Sequence, residues 1–216
     1  ISNAVGLAIA QANFAATYNK PGFTLSDSYT YAFLGDGCLQ EGVSSEASSL
    51  AGHLKLGNLI AFYDDNRITI DGNINVSFTE DVAKRYEAYG WEVLYVENGN
   101  EDMDAIAKAL EEAKQSKDKP TLIKMVTTIG FGSLNAGSHS VHGAPLKGDD
   151  VKQLKTKFGF NPEESFVVPQ EVYDFYNKTT IEPGAKANEE WNKLFEQYTA
   201  KYPELGAELK RRLSGK

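Results

Sequence analysis

The sequence predicts an α/β protein of three layers, α/β/α, around a mostly parallel, doubly wound sheet, with an α-helical extension at its C-terminal end. Three observations carry that expectation. Four short apolar runs, β-branched or aromatic in part and bounded by turn formers, read as buried strands: residues 29–34, 59–63, 91–96 and 121–126. Helical patterns alternate with them, an order that favours parallel strands with helices on both faces. The 28 residues from Cys38 to Asp65, between Gly37 and Asn66, match a strand–helix–strand crossover of about 30 residues.

Each element has its own signal. Residues 1–18 are Ala-rich with helical spacing of Val5, Ala8, Ile9, Ala12 and Ala16, which suggests a helix packed tightly in the interior. Asn19-Lys20-Pro21-Gly22 breaks it before the first strand. Residues 41–54 form a second small-residue helix through Gly42, Ser44, Ser45, Ala47, Ser48, Ser49 and Ala51, and Gly57 ends it. After Asn66, the stretch from Arg67 to Ile70 followed by Asp71-Gly72 reads as an extended piece with a turn. Thr79-Glu80-Asp81 caps a helix reaching about Tyr89, and residues 102–115 are amphipathic with Met103, Ile106, Ala109 and Leu110 on one face. Residues 127–148 form a long loop rich in Gly and Ser that carries His139 and His142, and loops of that length in compact domains are functional or disordered. Helices are expected over residues 149–158 and 169–176. Beyond Pro183 the chain is charged, with Trp191, Leu194, Phe195 and Tyr198 in one apolar stripe.

Composition narrows the function classes. At 216 residues, with 41% hydrophobic and 24% charged residues, the chain is one large domain or a domain plus an appendage. A net charge of −8 argues against sequence-independent nucleic-acid binding, yet a metal can still supply local positive potential for an anionic ligand. No apolar stretch is long enough for a membrane span, and no signal peptide is evident. A single cysteine, Cys38, excludes an internal disulfide and fits a reducing, cytoplasmic compartment; it reads as a small buried residue, and His53 reads as structural. The chain opens at Ile1 inside a helical pattern, so sequence is expected upstream.

The chemistry concentrates at two strand ends. Gly35-Asp36-Gly37 closes the first run and Asp64-Asp65-Asn66 the second. Alone, each reads as an ordinary turn. Together, on neighbouring parallel strands, they bring Asp36 and Asn66 to one rim of the sheet, where open α/β folds bind ligands. A carboxylate and an amide oxygen are hard ligands suited to Mg2+ or Ca2+ carrying a diphosphate. An EF-hand reading of the Asp71 segment fails, because Val76 stands where Gly is needed and Val82 where Glu is needed. His139 and His142 have neither a cysteine nor a suitable third histidine for a zinc site.

Gly35-Asp36-Gly37, the 28-residue interval and Asn66 resemble the thiamine diphosphate-binding motif of the thiamine-dependent enzymes. Ile1-Ser-Asn-Ala-Val-Gly-Leu-Ala8, Gly35-Asp-Gly-Cys-Leu-Gln-Glu-Gly-Val-Ser-Ser-Glu-Ala47, Asp65-Asn-Arg-Ile-Thr-Ile-Asp-Gly72 and Gly137-Ser-His-Ser-Val-His142-Gly143 narrow the resemblance to the transketolases. It runs from Ile1 to about Phe175. One departure is Asp65 before Asn66, where the family often has Asn-Asn.

The resemblance implies a thiamine diphosphate-binding fold over residues 1–160, truncated at its N-terminal side, and a helical extension over 161–216 leading to an interdomain linker. It implies Asp36, Asn66 and the backbone carbonyl of Ile68 as ligands of Mg2+, with Ca2+ or Mn2+ as substitutes. The Gly37 amide would bind the diphosphate, His142 would contact both diphosphate and sugar substrate as a catalytic group, and Ile70 and Ile129 would line the thiazolium pocket. Glu41 is implied near a subunit contact. The implied reaction moves a two-carbon ketol unit from a ketose phosphate to an aldose phosphate in the pentose phosphate pathway. The implied enzyme is a homodimer with cofactor at the subunit interface. The glutamate that activates the cofactor would lie on a pyrimidine-binding domain outside these residues, so the 216-residue chain alone is expected to be inactive. Two alternatives stay open: dihydroxyacetone synthase or another thiamine diphosphate enzyme, and a non-catalytic assembly or regulatory module.

Overall fold

A computed structural model of the chain describes residues 1–215, and these fall into two compact units. The first comprises Ile1–Ala12 and Ser28–Glu163; the second comprises Asn13–Asp27 and the residues from Glu164 onward.

The first unit is built on four parallel strands: β1 (Thr30–Gly35), β2 (Leu59–Asp65), β5 (Glu92–Val96) and β6 (Thr121–Val126), in the order β1-β2-β6-β5. The central strands β2 and β6 are the most buried, as expected of a sheet covered on both faces. Alternation along the strands sorts the core into two layers. Leu59, Ala61 and Tyr63 of β2 and Leu122 of β6 join Val5 and Ala8 of α1 (Ser2–Tyr18), Ala51 of α3 (Gly42–His53), and Val82 and Tyr86 of α4 (Val82–Ala88). Ile60, Phe62 and Ile123 point the other way, onto Ala109 and Ala113 of α5 (Met103–Ala113). The three-layer α/β/α arrangement is therefore realised, with its period-two register intact.

Caps and turns follow their local chemistry. Asp81 and Asp102 accept from the backbone N–H groups of Lys84 and Ala105, closing the starts of α4 and α5. The stretch after Asn66 is a two-stranded hairpin, β3 (Ile68–Thr69) with β4 (Gly72–Asn73). The small residues of α3 permit close contact: a Cβ at Gly52 would stand 1.8 Å from the Tyr89 carbonyl oxygen. Nearby, Trp91 donates from Nε1 to the Ser48 carbonyl at 2.8 Å.

Several expectations are corrected. The Gly35-Asp36-Gly37 segment is no simple turn; Asp36 begins the short helix α2 (Asp36–Gln40), because Gly35 in extended geometry serves as its N-cap. Helix α1 is not interior all round. Val5 and Ala8 are buried, but Leu7 on its opposite side is 63% exposed, since only one face meets the sheet. Met103 is exposed in the first turn of α5. Cys38 is exposed, and so is His53 at the end of α3.

After β6 the chain runs through the long loop, with a single 3-10 turn at His139–Val141, into α6 (Gly148–Lys157). Asp150 of α6 ties the loop down. It accepts from Ser133 Oγ at 2.6 Å and Leu134 N at 3.0 Å, and from Gln153 Nε2 of its own helix at 2.7 Å.

In the second unit, α7 (Gln170–Tyr176) does not stop before Pro183. A π-helical turn (Asn177–Ile181) leads directly into α8 (Glu182–Lys201), so Pro183 stands within a continuous helical run, immediately after the wider turn. Helix α9 (Pro203–Leu213) follows. The predicted stripe packs: Tyr198 and Leu209 are buried with Tyr18 and Leu25, flanked by Leu194 and Phe195. Trp191 Nε1 donates to the Leu25 carbonyl at 2.9 Å.

Candidate functional site

Register brings the two strand ends side by side. β1 and β2 are parallel neighbours with Gly35 opposite Asp64, so Asp36 lies level with the last residues of β2. Arg85 of α4 fixes the far end of α2, donating twice to the Leu39 carbonyl at 3.2 Å while pairing with Glu80 at 2.7 Å.

Asp36 is 4% exposed. Its Oδ1 accepts a short hydrogen bond from the Tyr63 hydroxyl, while its Oδ2 is buried with no hydrogen-bond partner. Burial raises the Asp36 carboxyl above the usual carboxylate range. The Tyr63 hydroxyl opposes that shift, the Asp65 charge adds to it, the Arg67 backbone amide opposes it, and Asp64 adds a little more. Burial likewise pushes the Tyr63 phenol far above its ordinary value, and its bond to Asp36 pushes it further. A buried acceptor oxygen left without a donor is costly unless a cation takes it.

Asn66 is oriented from both sides. Its Nδ2 donates to Asp64 Oδ2 at 3.1 Å, and its Oδ1 accepts from Ile68 N at 3.0 Å. Asp64 in turn accepts at Oδ1 from the Thr127 hydroxyl beyond β6, in a short hydrogen bond. The amide oxygen of Asn66 therefore keeps one lone pair free. Between Asn66 and Ile68, Arg67 takes φ 61°, a left-handed backbone that a side-chain-bearing residue adopts only at a cost. That turn swings the chain into the hairpin. Ile74 N donates to Arg67 O at 2.9 Å, which makes Ile68 and Asn73 the neighbouring pair without mutual hydrogen bonds. The Ile68 carbonyl consequently faces away from β4.

Asp65, one residue on from Asp64 and on the opposite side of the strand, is 1% exposed. Arg67 Nε reaches its Oδ1 at 2.8 Å and Lys124 Nζ of β6 reaches its Oδ2 at 3.1 Å. The Tyr63 hydroxyl also lies 3.3 Å from Asp65 Oδ1.

The remaining expected residues are distributed unevenly. Gly37 is exposed in the first turn of α2, where backbone N–H groups lack intrahelical acceptors, and beyond its own helical turn no atom lies within 4 Å of where a Cβ would project. Ile129 lines a cavity of about 630 Å³ together with Gly35, Cys38, Asp64, Thr127 and Met125. Ile70 sits at the hairpin tip, 67% exposed and outside that cavity lining. His142 is exposed just after the 3-10 turn, its backbone N–H bonded to the His139 carbonyl at 2.9 Å, and it too is outside that lining. Glu41, between α2 and α3, is exposed.

Sequence reasoning passed over Tyr63, Thr127 and Lys124, and named Asp64 and Asp65 in the strand-end motif without giving either a role. Lys124 alone carried a signal, as a cation inside the otherwise apolar run Thr121-Leu-Ile-Lys-Met-Val126, which demands a buried partner.

The donor set has a recognisable chemistry. Among the described residues no three His, Cys, Asp or Glu side chains converge as a metal-binding group. What the adjoining ends of β1 and β2 carry instead is a carboxylate oxygen without a hydrogen-bond partner, an amide oxygen and an outward-facing backbone carbonyl: three hard donors with one negative charge. That set suits Mg2+ or Ca2+ with further oxygens from an anionic ligand, and does not suit zinc. The residues present thus fit a metal-bound diphosphate.

Comparison with known proteins agrees with this chemistry. The family model described as "Transketolase, thiamine diphosphate binding domain" matches residues 1–216. The transketolase of Kluyveromyces lactis is 82% identical over 215 residues, and transketolase 1 of Saccharomyces cerevisiae is 80% identical over 215; each alignment covers 100% of this chain and 32% of the relative. A crystal structure of a Pichia stipitis transketolase in complex with sedoheptulose 7-phosphate superposes with a TM-score of 0.97 at 66% identity, over 100% of this chain and 32% of that one. The chain spans about a third of the length of the curated relatives it matches. This chain belongs to the transketolase thiamine diphosphate-binding domain family.

Proposed function

We propose that the chain supplies the metal- and diphosphate-holding part of a transketolase, which moves a two-carbon ketol unit from a ketose phosphate to an aldose phosphate. The observation that carries this reading is the buried Oδ2 of Asp36, without a hydrogen-bond partner, at the end of β1, with the oriented Asn66 amide following the end of its parallel neighbour β2. Asp36, Asn66 and Ile68 would hold the divalent metal, Mg2+ with Ca2+ or Mn2+ as substitutes, and the Gly37 amide would take a diphosphate oxygen. His142 would hydrogen-bond the diphosphate and a substrate oxygen, and Ile70 and Ile129 would shield the thiazolium from water. When bound, thiamine diphosphate supplies the carbanion-stabilising chemistry, and the protein supplies binding, orientation and electrostatics.

In this reading residues 1–160 form the binding domain and 161–216 a helical extension toward a further domain. The working enzyme is a cytoplasmic homodimer with cofactor at the subunit interface, acting on sugar phosphates in the pentose phosphate pathway. The family match over residues 1–216 and a transketolase relative at 82% identity support it, and a net charge of −8 disfavours sequence-independent nucleic-acid binding. Among the described residues no helix is long and apolar enough to cross a membrane.

The test is a coupled transfer assay on the protein carrying these residues at its full length. Turnover should depend on added thiamine diphosphate and Mg2+ and disappear in Asp36→Ala, while the 216-residue chain alone shows none. Wild-type turnover in Asp36→Ala would overturn the proposal.

A further inference from the structure

Asp64 touches two separate elements of the site. In the strand register it stands opposite Gly35 of β1 and Met125 of β6, where all three strands end. Its Oδ1 accepts from the Thr127 hydroxyl, on the first residue after β6, and its Oδ2 accepts from Asn66 Nδ2 at 3.1 Å. The Asn66 amide is gripped from its other end by the Ile68 N–H, which donates to Oδ1 at 3.0 Å. Turning the amide over would set Oδ1 against the Asp64 carboxylate and Nδ2 against the Ile68 N–H. Acceptor would face acceptor and donor would face donor, so only one orientation satisfies both neighbours. Of the two contacts the one to the carboxylate is charge-assisted and therefore the stronger.

Resting on the metal-site reading above, we infer that Asp64 is a positioning residue: tethered by Thr127, it fixes the Asn66 amide so that the oxygen, and not the nitrogen, meets the metal. Asp64 acts through Asn66 rather than as a ligand, since each of its own oxygens already takes a donor. Its contribution is orientation, not charge. The tether ends on the first residue of the long loop that carries Ile129 and His142, so one carboxylate joins the base of that loop to a metal ligand. Outer partners of metal ligands typically govern affinity by about 10–100-fold.

The test counts bound metal rather than turnover. On the protein carrying these residues at full length, free Mn2+ is measured by electron paramagnetic resonance at saturating thiamine diphosphate. It compares wild type, Asp36→Ala, Asp64→Asn, Asp64→Leu, Thr127→Val and the double variant Asp64→Leu/Thr127→Val. Asp64→Leu should weaken Mn2+ binding about tenfold or more. Asp64→Asn should stay near wild type, because its side chain still accepts from Asn66 and can donate to the Thr127 hydroxyl. Thr127→Val should fall between the two and add nothing in the Asp64→Leu background. A merely structural role would lower the urea midpoint of Asp64→Leu and leave its Mn2+ affinity unmoved. Unmoved affinity in a folded Asp64→Leu or in Thr127→Val overturns the inference. So does a further loss in the double variant, or an Asp64→Asn as weak as Asp64→Leu, which would assign the effect to charge. If Asp64→Leu does not fold, Asp64→Asn and Thr127→Val decide alone, and a loss of about tenfold in Asp64→Asn overturns the inference. Failure of wild type to bind Mn2+, or wild-type binding in Asp36→Ala, overturns the metal-site reading itself, and the inference with it.

Discussion

Replacing Lys124 by Met removes one of two cations from a carboxylate that is almost wholly out of solvent. Lys124 Nζ lies 3.1 Å from Asp65 Oδ2, with side-chain exposures of 20% and 2%. At an effective dielectric of about 20, charges at that separation attract by about 5 kcal/mol. Part of this is offset by the cost of desolvating the ammonium. Breaking a buried pair from one side costs about 3–5 kcal/mol, because the remaining charge stays buried. Arg67 still reaches Asp65 Oδ1 at 2.8 Å, but its side chain is 61% exposed and compensates weakly. The lower end, about 3 kcal/mol, is therefore expected for Lys124→Met. Urea unfolding should show the loss as a lowered midpoint at unchanged slope. Adding Asp65→Asn to Lys124→Met should recover part of the loss, since the uncompensated charge is then gone. A change below about 0.5 kcal/mol in the single variant, a typical value for a surface substitution, would refute the view that this pair anchors the β2 tip.

Two further outcomes follow from packing and from titration. Gly52→Ala should destabilise by at least 1–2 kcal/mol in the same unfolding assay. Its Cβ would meet the Tyr89 carbonyl oxygen at 1.8 Å, and the overpacking cost exceeds the helix-propensity gain of about 1 kcal/mol; a neutral or stabilised variant would contradict the close approach of α3 to that turn. The Asp150 carboxyl is held below its ordinary value by the Ser133 hydroxyl first, then by the Leu134 amide and Gln153. A depressed folded-state value means a contribution fully present above the unfolded value and lost as pH falls through the folded one. The stability gap between wild type and Asp150→Asn should accordingly be flat above pH about 4 and close on acidification; a gap independent of pH would exclude Asp150 as the anionic tether of the 127–148 loop.

Much of the fold was legible because its signals are local. Strand β6 matches its expected bounds residue for residue, and the expected cap at Asp81 closes the start of α4 onto the Lys84 amide three residues on. That Asp36 and Asn66 follow the adjoining ends of neighbouring parallel strands was legible too, because crossover length and parallel pairing dictate it. What escaped were consequences of long-range pairing. Tyr63 and Asp36 are separated by 27 residues and Thr127 and Asp64 by 63, and no spacing rule connects them. The exposure of Cys38 depended on α2 beginning at Asp36, whereas two flanking glycines had pointed to a turn. The continuity from α7 to α8 was hidden because Pro183 signals a break, and only the π-turn geometry shows how the chain absorbs it. Ile70 was singled out by resemblance alone and His142 by its long loop as well, and the chain by itself leaves both exposed outside the cavity lined by Ile129.

The most direct measurement is anomalous diffraction from crystals of the protein grown with thiamine diphosphate and Mn2+. The account predicts a single strong Mn2+ peak in contact with Asp36 Oδ2, Asn66 Oδ1 and the Ile68 carbonyl oxygen, with the diphosphate completing the coordination. A peak elsewhere, or ordered diphosphate with no metal between it and Asp36, would contradict it.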